Sequence, residues 1–276
     1  MLASELLQKI QSPGKQLRAL AQQNAQVYQG NAPFPHIVID GMFDETLLRT
    51  LLAEFPTPKS IDWEKYDTYN EVKLASKTDE QLGPVTRTFL HYLNSAVFVE
   101  FLEEMTGILG LIPDPHLVGG GAHQIVPGGK LAVHADFNRH VRMKLDRRLN
   151  LLLYLNDEWN DSYGGHLQLW DEEMKKCEKK ILPLWNRMVV FSTTDFSYHG
   201  HPDPLTCPPD RTRKSLALYY YSNGRPAHEL SKGKHFTLWR MRPNEQKVWR
   251  AAQVMKKFVP PIAHDIRNVI RDKAGF

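Results

Sequence analysis

Apolar residues recur along this chain at two different periods, and the change of period divides it. In the first third they fall at helix-face spacing: Leu6, Leu7 and Ile10, then, past the break at Pro13-Gly14, Leu17, Leu20 and Ala21. Residues 33–43 read as an extended apolar segment, after which Asp44 is placed to cap a helix through Leu47, Leu48, Leu51 and Leu52 that Pro56 stops. Two more helices are expected between about residues 81 and 106, the second capped near Asn94-Ser95 and carrying Val97, Phe98, Phe101 and Leu102. Beyond Gly119-Gly120-Gly121 the texture changes to short apolar runs cut by Gly, Pro and Asp. Strands are predicted there near residues 122–126, 131–136, 148–155, 166–170, 181–184, 188–192, 197–201 and 214–221. Helical spacing returns late, with Asn244 as a cap before Val248, Trp249, Ala252 and Met255, and with Ile266, Val269 and Ile270 after Pro260-Pro261.

Short strands in this number fit a double-sheet jelly roll that closes over a central cavity. The expectation is a mainly β core with α additions. Residues 1–118 supply helical and extended segments that pack on the barrel, 119–225 form the jelly-roll core, and 226–276 form a helical extension, together one compact domain. No internal repeat, low-complexity tract or long linker interrupts the chain.

Composition narrows the classes. With 276 residues and 42% hydrophobic content the chain can bury a sizeable core. Its formal net charge of +4, from 35 Lys+Arg against 31 Asp+Glu, is too mild to announce nucleic acid, and none is expected as a partner. No apolar stretch is long enough to cross a bilayer, so no membrane partner is expected. The N-terminus, interrupted by Glu5, Lys9 and Gln11, lacks the apolar core of a signal peptide, and a cytoplasmic location is expected. Cys177 and Cys207, without CxxC spacing, fit a reducing compartment and do not suggest a structural zinc site.

The candidate chemistry centres on His134-Ala135-Asp136, at the end of a predicted strand after the turn Pro127-Gly128-Gly129. Residues two apart on a strand share a face, so the His134 imidazole and the Asp136 carboxylate can grip one ion. A third ligand can come from His199, where another strand breaks at Gly200, with His201 as its rival two residues on. Two histidines and one carboxylate make the facial set that holds non-haem Fe(II) and leaves the opposite face open. The same set also suits Zn(II) with an open water position, as in a hydrolase, and a non-enzymatic jelly-roll binding protein is the third alternative.

Several ordered elements then carry a resemblance. They are His134-x-Asp136-Phe137-Asn138, Arg148-Leu149-Asn150-x-x-x-Tyr154-Leu155-Asn156-x-x-Trp159, Tyr163-Gly164-Gly165-x-Leu167, His199-Gly200-His201-Pro202 and Arg213-x-Ser215-Leu216. In this order the region from about residue 120 to 221 resembles the catalytic core of the 2-oxoglutarate and Fe(II)-dependent dioxygenases, on the prolyl-4-hydroxylase-like branch. The resemblance implies a double-stranded β-helix of the cupin-like kind, Fe(II) as cofactor, and 2-oxoglutarate and O2 as co-substrates. It also implies a hydroxylase of a peptidyl residue, an amino acid or a small metabolite that releases succinate and CO2, and it selects His199 over His201. Arg213 would hold the distal carboxylate of 2-oxoglutarate through its planar fork, with Ser215 on the same strand face. Tyr154 matches a tyrosine that donates to that carboxylate in related hydroxylases, with an ordinary core tyrosine as the alternative. Gln124 is a further candidate for the inner carboxylate, against an ordinary strand-face hydrogen bond. Arg213-x-Ser215 is a feature a zinc hydrolase would not need. The connection that follows the metal motif is rich in cations; Asn138, Arg139 and Arg142 are candidates to hold an anionic substrate at the cavity mouth, against the reading of a wetted surface loop.

Overall fold

The apolar stripe through Leu17 and Ala21 makes a helix, α1 (Gly14–Gly30), with both residues buried. An extended segment follows as β1 (His36–Asp40), and then α2 (Glu45–Glu54), where the Asp44 carboxylate accepts from the Leu47 amide at 2.8 Å as an N-cap. A hairpin comes next, β2 (Glu64–Asp67) and β3 (Glu71–Ala75), and then α3 (Pro84–Leu93) and α4 (Ala96–Thr106). Ser95 stands at the predicted cap position of α4, but its side chain makes no capping hydrogen bond. The strands that follow are β4 (Ile112–Pro113), β5 (Gly121–Ile125), β6 (Lys130–Ala135), β7 (Asp146–Tyr154) and β8 (Leu167–Trp170). They continue as β9 (Cys177–Ile181), β10 (Arg187–Ser192), β11 (His199–His201), β12 (Arg213–Ser222) and β13 (Leu238–Trp239). This computed structural model describes residues 5, 8, 14–230 and 236–247. The helical spacings read at Leu6, Leu7 and Ile10, and from Val248 onward, lie outside the described residues. No helix among the described residues is long and apolar enough to cross a membrane.

All the ladders are antiparallel, in the order β1-β10-β7-β12-β5-β3-β6-β11-β8-β9. β10, β7, β12 and β5 make one sheet, and β6, β11, β8 and β9 make the other. β3 joins them, pairing with β5 at Leu74↔Gln124 and with β6 at Glu71↔Leu131. This is the double-stranded β-helix that the strand pattern predicts.

Two features depart from the sequence reading. The strand expected at 181–184 lies at Cys177–Ile181, because Pro183 cannot donate to a ladder, while the charged run Glu178-Lys179-Lys180 suits an outer edge paired only with β8. The hairpin β2–β3 was not predicted, since Glu64-Lys65-Tyr66-Asp67 and Glu71-Val72-Lys73 carry almost no apolar alternation.

Strand β7 shows why the first third of the chain is helical. Leu149, Leu151 and Leu153 point outward into one core with Leu47, Leu48, Leu51, Phe98 and Leu102 of the helices, all nearly inaccessible to water. Each such leucine contributes about 1.5–3 kcal/mol by leaving water, so the helices are the cover that lets this strand be apolar on both faces. Asn150, Leu152 and Tyr154 alternate to the inside. By Cα packing, residues 1–240 make one compact unit and 241–276 a second. In the second, residues 243–247 are helical, and the Arg242 amide donates to Glu245. The turn starts at Pro243, a favoured first helical residue, so Asn244 lies inside it instead of capping it.

Candidate active site

Strand pairing brings the predicted ligands together. β11 runs beside β6 with His199 opposite His134, and Asp136 follows directly on the last residue of β6. The approach is close because residue 200 is glycine: a Cβ there would lie 2.7 Å from the Ala132 carbonyl oxygen. His134 Nε2 lies 3.5 Å from Asp136 Oδ1, and His199 Nε2 lies 3.4 Å from Asp136 Oδ2. One ligand atom from each residue fits within 4.8 Å of the others, and both histidines are buried. His134 Nδ1 donates to the Ala132 carbonyl and His199 Nδ1 to the Ser197 carbonyl, each at 2.9 Å. Those bonds turn each Nε2 lone pair toward the carboxylate, the orientation a metal ligand requires. Burial pushes the His199 imidazole down to about 4, against the pull of Asp136, so the ring is neutral and free to ligate near neutral pH.

Arg147 supports this set and was not singled out from the sequence. Its Nη2 lies 3.2 Å from Asp136 Oδ2, and its Nε and Nη2 both donate to Asn150 Oδ1, at 2.9 and 2.7 Å. Asn150 Nδ2 in turn donates to Asp136 Oδ2 at 2.7 Å. The guanidinium packs on the Tyr219 ring, 3.5 Å from its centroid. Burial alone would raise the Asp136 carboxyl, but Arg147, His199 and His134 hold it well below the usual carboxylate range. A bulge explains why alternation missed Arg147. Leu149 pairs with Tyr220 but Arg147 with Tyr221, so Arg148 is the extra residue, and Arg147 takes the inward face three positions from Asn150.

The cavity beside the triad is lined by Leu131, Leu152, Leu167 and Phe191 on its apolar side and by Arg213, Ser215, His123, His201 and Lys73 on its polar side. Arg213 is 4% exposed, and its Nε donates to the Gly165 carbonyl and its Nη2 to the Tyr154 hydroxyl, at 2.8 and 3.1 Å. Gly165 has φ +74°, and a Cβ on it would meet Arg213 Cδ at 2.9 Å. Among the described residues no carboxylate lies within ion-pair distance of Arg213. A buried guanidinium with no counter-ion, beside the hydroxyl of Ser215, fits a site for a carboxylate-bearing molecule.

Other predicted residues stand elsewhere. Gln124 faces away from the cavity, because its neighbours His123 and Ile125 line it; its Nε2 donates to Thr212 Oγ1 at 3.0 Å. Gln124 thus makes the ordinary strand-face hydrogen bond and does not line the cavity. Asn138 is buried and donates to Asp195 Oδ1, which ties two loops together. Arg139 and Arg142 are exposed; the first donates to the Lys144 carbonyl, and the second lines a separate groove of about 640 Å³ beside Glu64 and Thr78. The structure therefore does not bring these three to the cavity, and the sequence argument for an anionic substrate loses the residues it rested on. Lys73 and His123 were missed because the first belongs to the unpredicted hairpin and the second had no motif to mark it.

Comparison with known proteins agrees with this geometry. Residues 120–221 match the family model of the 2OG-Fe(II) oxygenase superfamily. The chain is 26% identical over 186 residues to prolyl 3-hydroxylase OGFOD1 of Xenopus laevis, covering 64% of this chain and 33% of that protein. It is 23% identical over 210 residues to prolyl 3,4-dihydroxylase OGFOD1 of Ostreococcus tauri, covering 70% and 39%. The chain thus spans well under half the length of these curated relatives. Among solved structures, a prolyl-4-hydroxylase of Pseudomonas putida superposes with a TM-score of 0.52 at 18% identity, over 75% of this chain and 100% of that one. HygX of Streptomyces hygroscopicus with nickel and 2-oxoglutarate bound superposes with a TM-score of 0.50 at 11% identity, over 79% and 96%. Ordered motifs and triad together agree with the match of residues 120–221 to the 2OG-Fe(II) oxygenase superfamily, and the fold is the one seen in the prolyl-4-hydroxylase of Pseudomonas putida.

Proposed function

We propose that the chain is a 2-oxoglutarate-dependent non-haem iron hydroxylase acting on a prolyl residue within a peptide. The observation that carries the reading is the pairing of two sites across one cavity, the His134–Asp136–His199 set and the buried Arg213, which has no counter-ion among the described residues. The peptidyl and prolyl part rests on the activities named for the OGFOD1 relatives. Bound at the triad, Fe(II) with 2-oxoglutarate and O2 supplies the oxidant for an unactivated C–H bond, one oxygen atom going to the substrate and the other into succinate as CO2 leaves.

The chain's own residues do the rest. His134 and His199 present Nε2, and their Nδ1–H bonds to backbone carbonyls keep the rings from turning. Asn150 and Arg147 both engage Asp136 Oδ2, which holds the carboxylate in place beside the two histidines that would bind the ion with it. Arg213 anchors the far carboxylate of the co-substrate, and Tyr154, whose oxygen already accepts from Arg213, has its proton left to donate. Leu131, Leu152, Leu167 and Phe191 keep water out around the reacting centre. A zinc hydrolase on the same triad has no use for the anion pocket.

The test is direct. Protein loaded with Fe(II) is supplied with 2-oxoglutarate, O2 and a panel of prolyl peptides, with free proline as control. Succinate rising above the peptide-free level, together with a one-oxygen mass gain on the peptide, is the expected result. Absence of both across the panel, with 2-oxoglutarate binding intact, counts against a prolyl substrate; absence of 2-oxoglutarate binding counts against the whole reading.

A further inference from the structure

One wall of the cavity holds a buried imidazole that bonds to none of the described residues. His201 is 3% exposed, lines the cavity, and has no hydrogen-bond partner at either ring nitrogen. A ring that gives up water at both nitrogens and gains no bond costs the folded protein free energy, so an apolar residue would fill the same place more favourably. His201 is also no metal ligand: the convergent set consists of His134, Asp136 and His199, while the register shift after His199 sets His201 opposite Leu131. His201 and Arg213 line the same cavity. An imidazole ring has at least one N–H to give in either protonation state.

The groups near it are unspent in a complementary way. Arg213 uses Nε and Nη2 on Gly165 and Tyr154, and Nη1 bonds to none of the described residues. A carboxylate bonded to Arg213 has two oxygens and room for several donors. We propose that His201 is a further arm of the co-substrate clamp, donating a ring N–H to the distal carboxylate that Arg213 binds. This rests on the functional reading above and adds a residue to it. His201 so acts as a specificity residue for a 2-oxo acid with a second carboxylate, one that prepays part of the binding cost by keeping a donor dry and unpaired until the ligand arrives.

The experiment compares two 2-oxo acids on Fe(II)-loaded protein without O2, read by the metal-to-ligand absorption band and by calorimetry. 2-Oxoglutarate carries the distal carboxylate; 2-oxobutanoate has the same head without it. In His201→Val the Kd for 2-oxoglutarate should rise at least about tenfold, the scale of one hydrogen bond to a charged group, while the Kd for 2-oxobutanoate stays within about twofold. His201→Asn, which keeps an N–H donor, should recover part of the loss. A second readout separates this from a structural duty. Without ligand, His201→Val should melt no lower than the parent, since it removes a buried unpaired ring, yet its stabilisation by 2-oxoglutarate should shrink. An unchanged Kd for 2-oxoglutarate, equal losses for both acids, or a folded His201→Val protein that melts lower would each overturn the assignment to the clamp. The Asn variant carries the same two-acid comparison if Val does not fold, and equal losses there overturn it again. A parent protein that binds neither acid removes the functional reading itself, a result distinct from any difference between variants.

Discussion

Asp136 is the residue on which the site's electrostatics turn, and its neighbours set how it behaves. A carboxylate this enclosed would favour its neutral form, and it stays charged because Arg147 is buried beside it. Removing one partner of a buried pair leaves the other exposed to the full desolvation cost. Arg147→Met should therefore destabilise the metal-free protein by about 3–5 kcal/mol in urea titrations and weaken Fe(II) binding, whereas an Asn150→Asp change would crowd Asp136 with a second carboxylate. Arg213→Ala should instead leave metal binding intact and weaken 2-oxoglutarate by about 2–5 kcal/mol, measured by anaerobic titration. Acid should act through His199. Its folded pKa, about 4, lies below the ordinary value of 6.5, so the unfolded chain takes up a proton there that the folded one refuses. The metal-free protein should lose stability as pH falls from about 6.5 toward 4, at up to about 1.4 kcal/mol per pH unit for this one group. A urea midpoint for the metal-free protein that is flat over this range would show that the ring titrates normally.

At the level of strands and helices, most of the fold could be read ahead because turn residues and short apolar runs mark the ends of β5, β6, β7, β10 and β12 to within a few residues. The triad was legible for the same reason: two residues two apart at the end of one strand, and a histidine just before a glycine. What could not be read was any change of phase. The bulge at Arg148 depends on how many residues β12 supplies opposite β7, a property of the pair and not of either strand, and it alone moves Arg147 from surface cation to buried partner of Asp136. The pairing of β2 with β3 was hidden too, because its residues are held by ladder hydrogen bonds and by Lys73 stacking on Tyr66, 4.6 Å from the ring centroid, instead of by an apolar stripe. Glycines at the contact points make a sharper test of these elements. Gly200→Ala would force a methyl group onto the backbone of β6, and it should cost about 1–3 kcal/mol of stability as well as metal affinity, seen by thermal melting and metal titration. Gly165→Ala should act on Arg213 and so on the co-substrate.

For the molecule as a whole, the cavity belongs to more of the chain than its motifs suggest. Lys73 reaches it from the hairpin before the core, and Trp239, far along the chain, packs against His134 with ring centroids 5.0 Å apart. β3 has a further consequence. It is the strand through which β5 and β6 meet, and its backbone groups occupy what would otherwise be the facing borders of two sheets. A chain lacking only residues 64–75 would keep every iron and co-substrate motif and yet expose two unpaired borders, templates that recruit strands from other molecules. Such a deletion should increase self-association on a sizing column over that of the full chain, and adding a peptide of residues 60–78 should suppress the increase. The catalytic motifs are in that sense not a transplantable cassette: the part that closes the gap between their two sheets comes from a charged hairpin that carries none of the motifs.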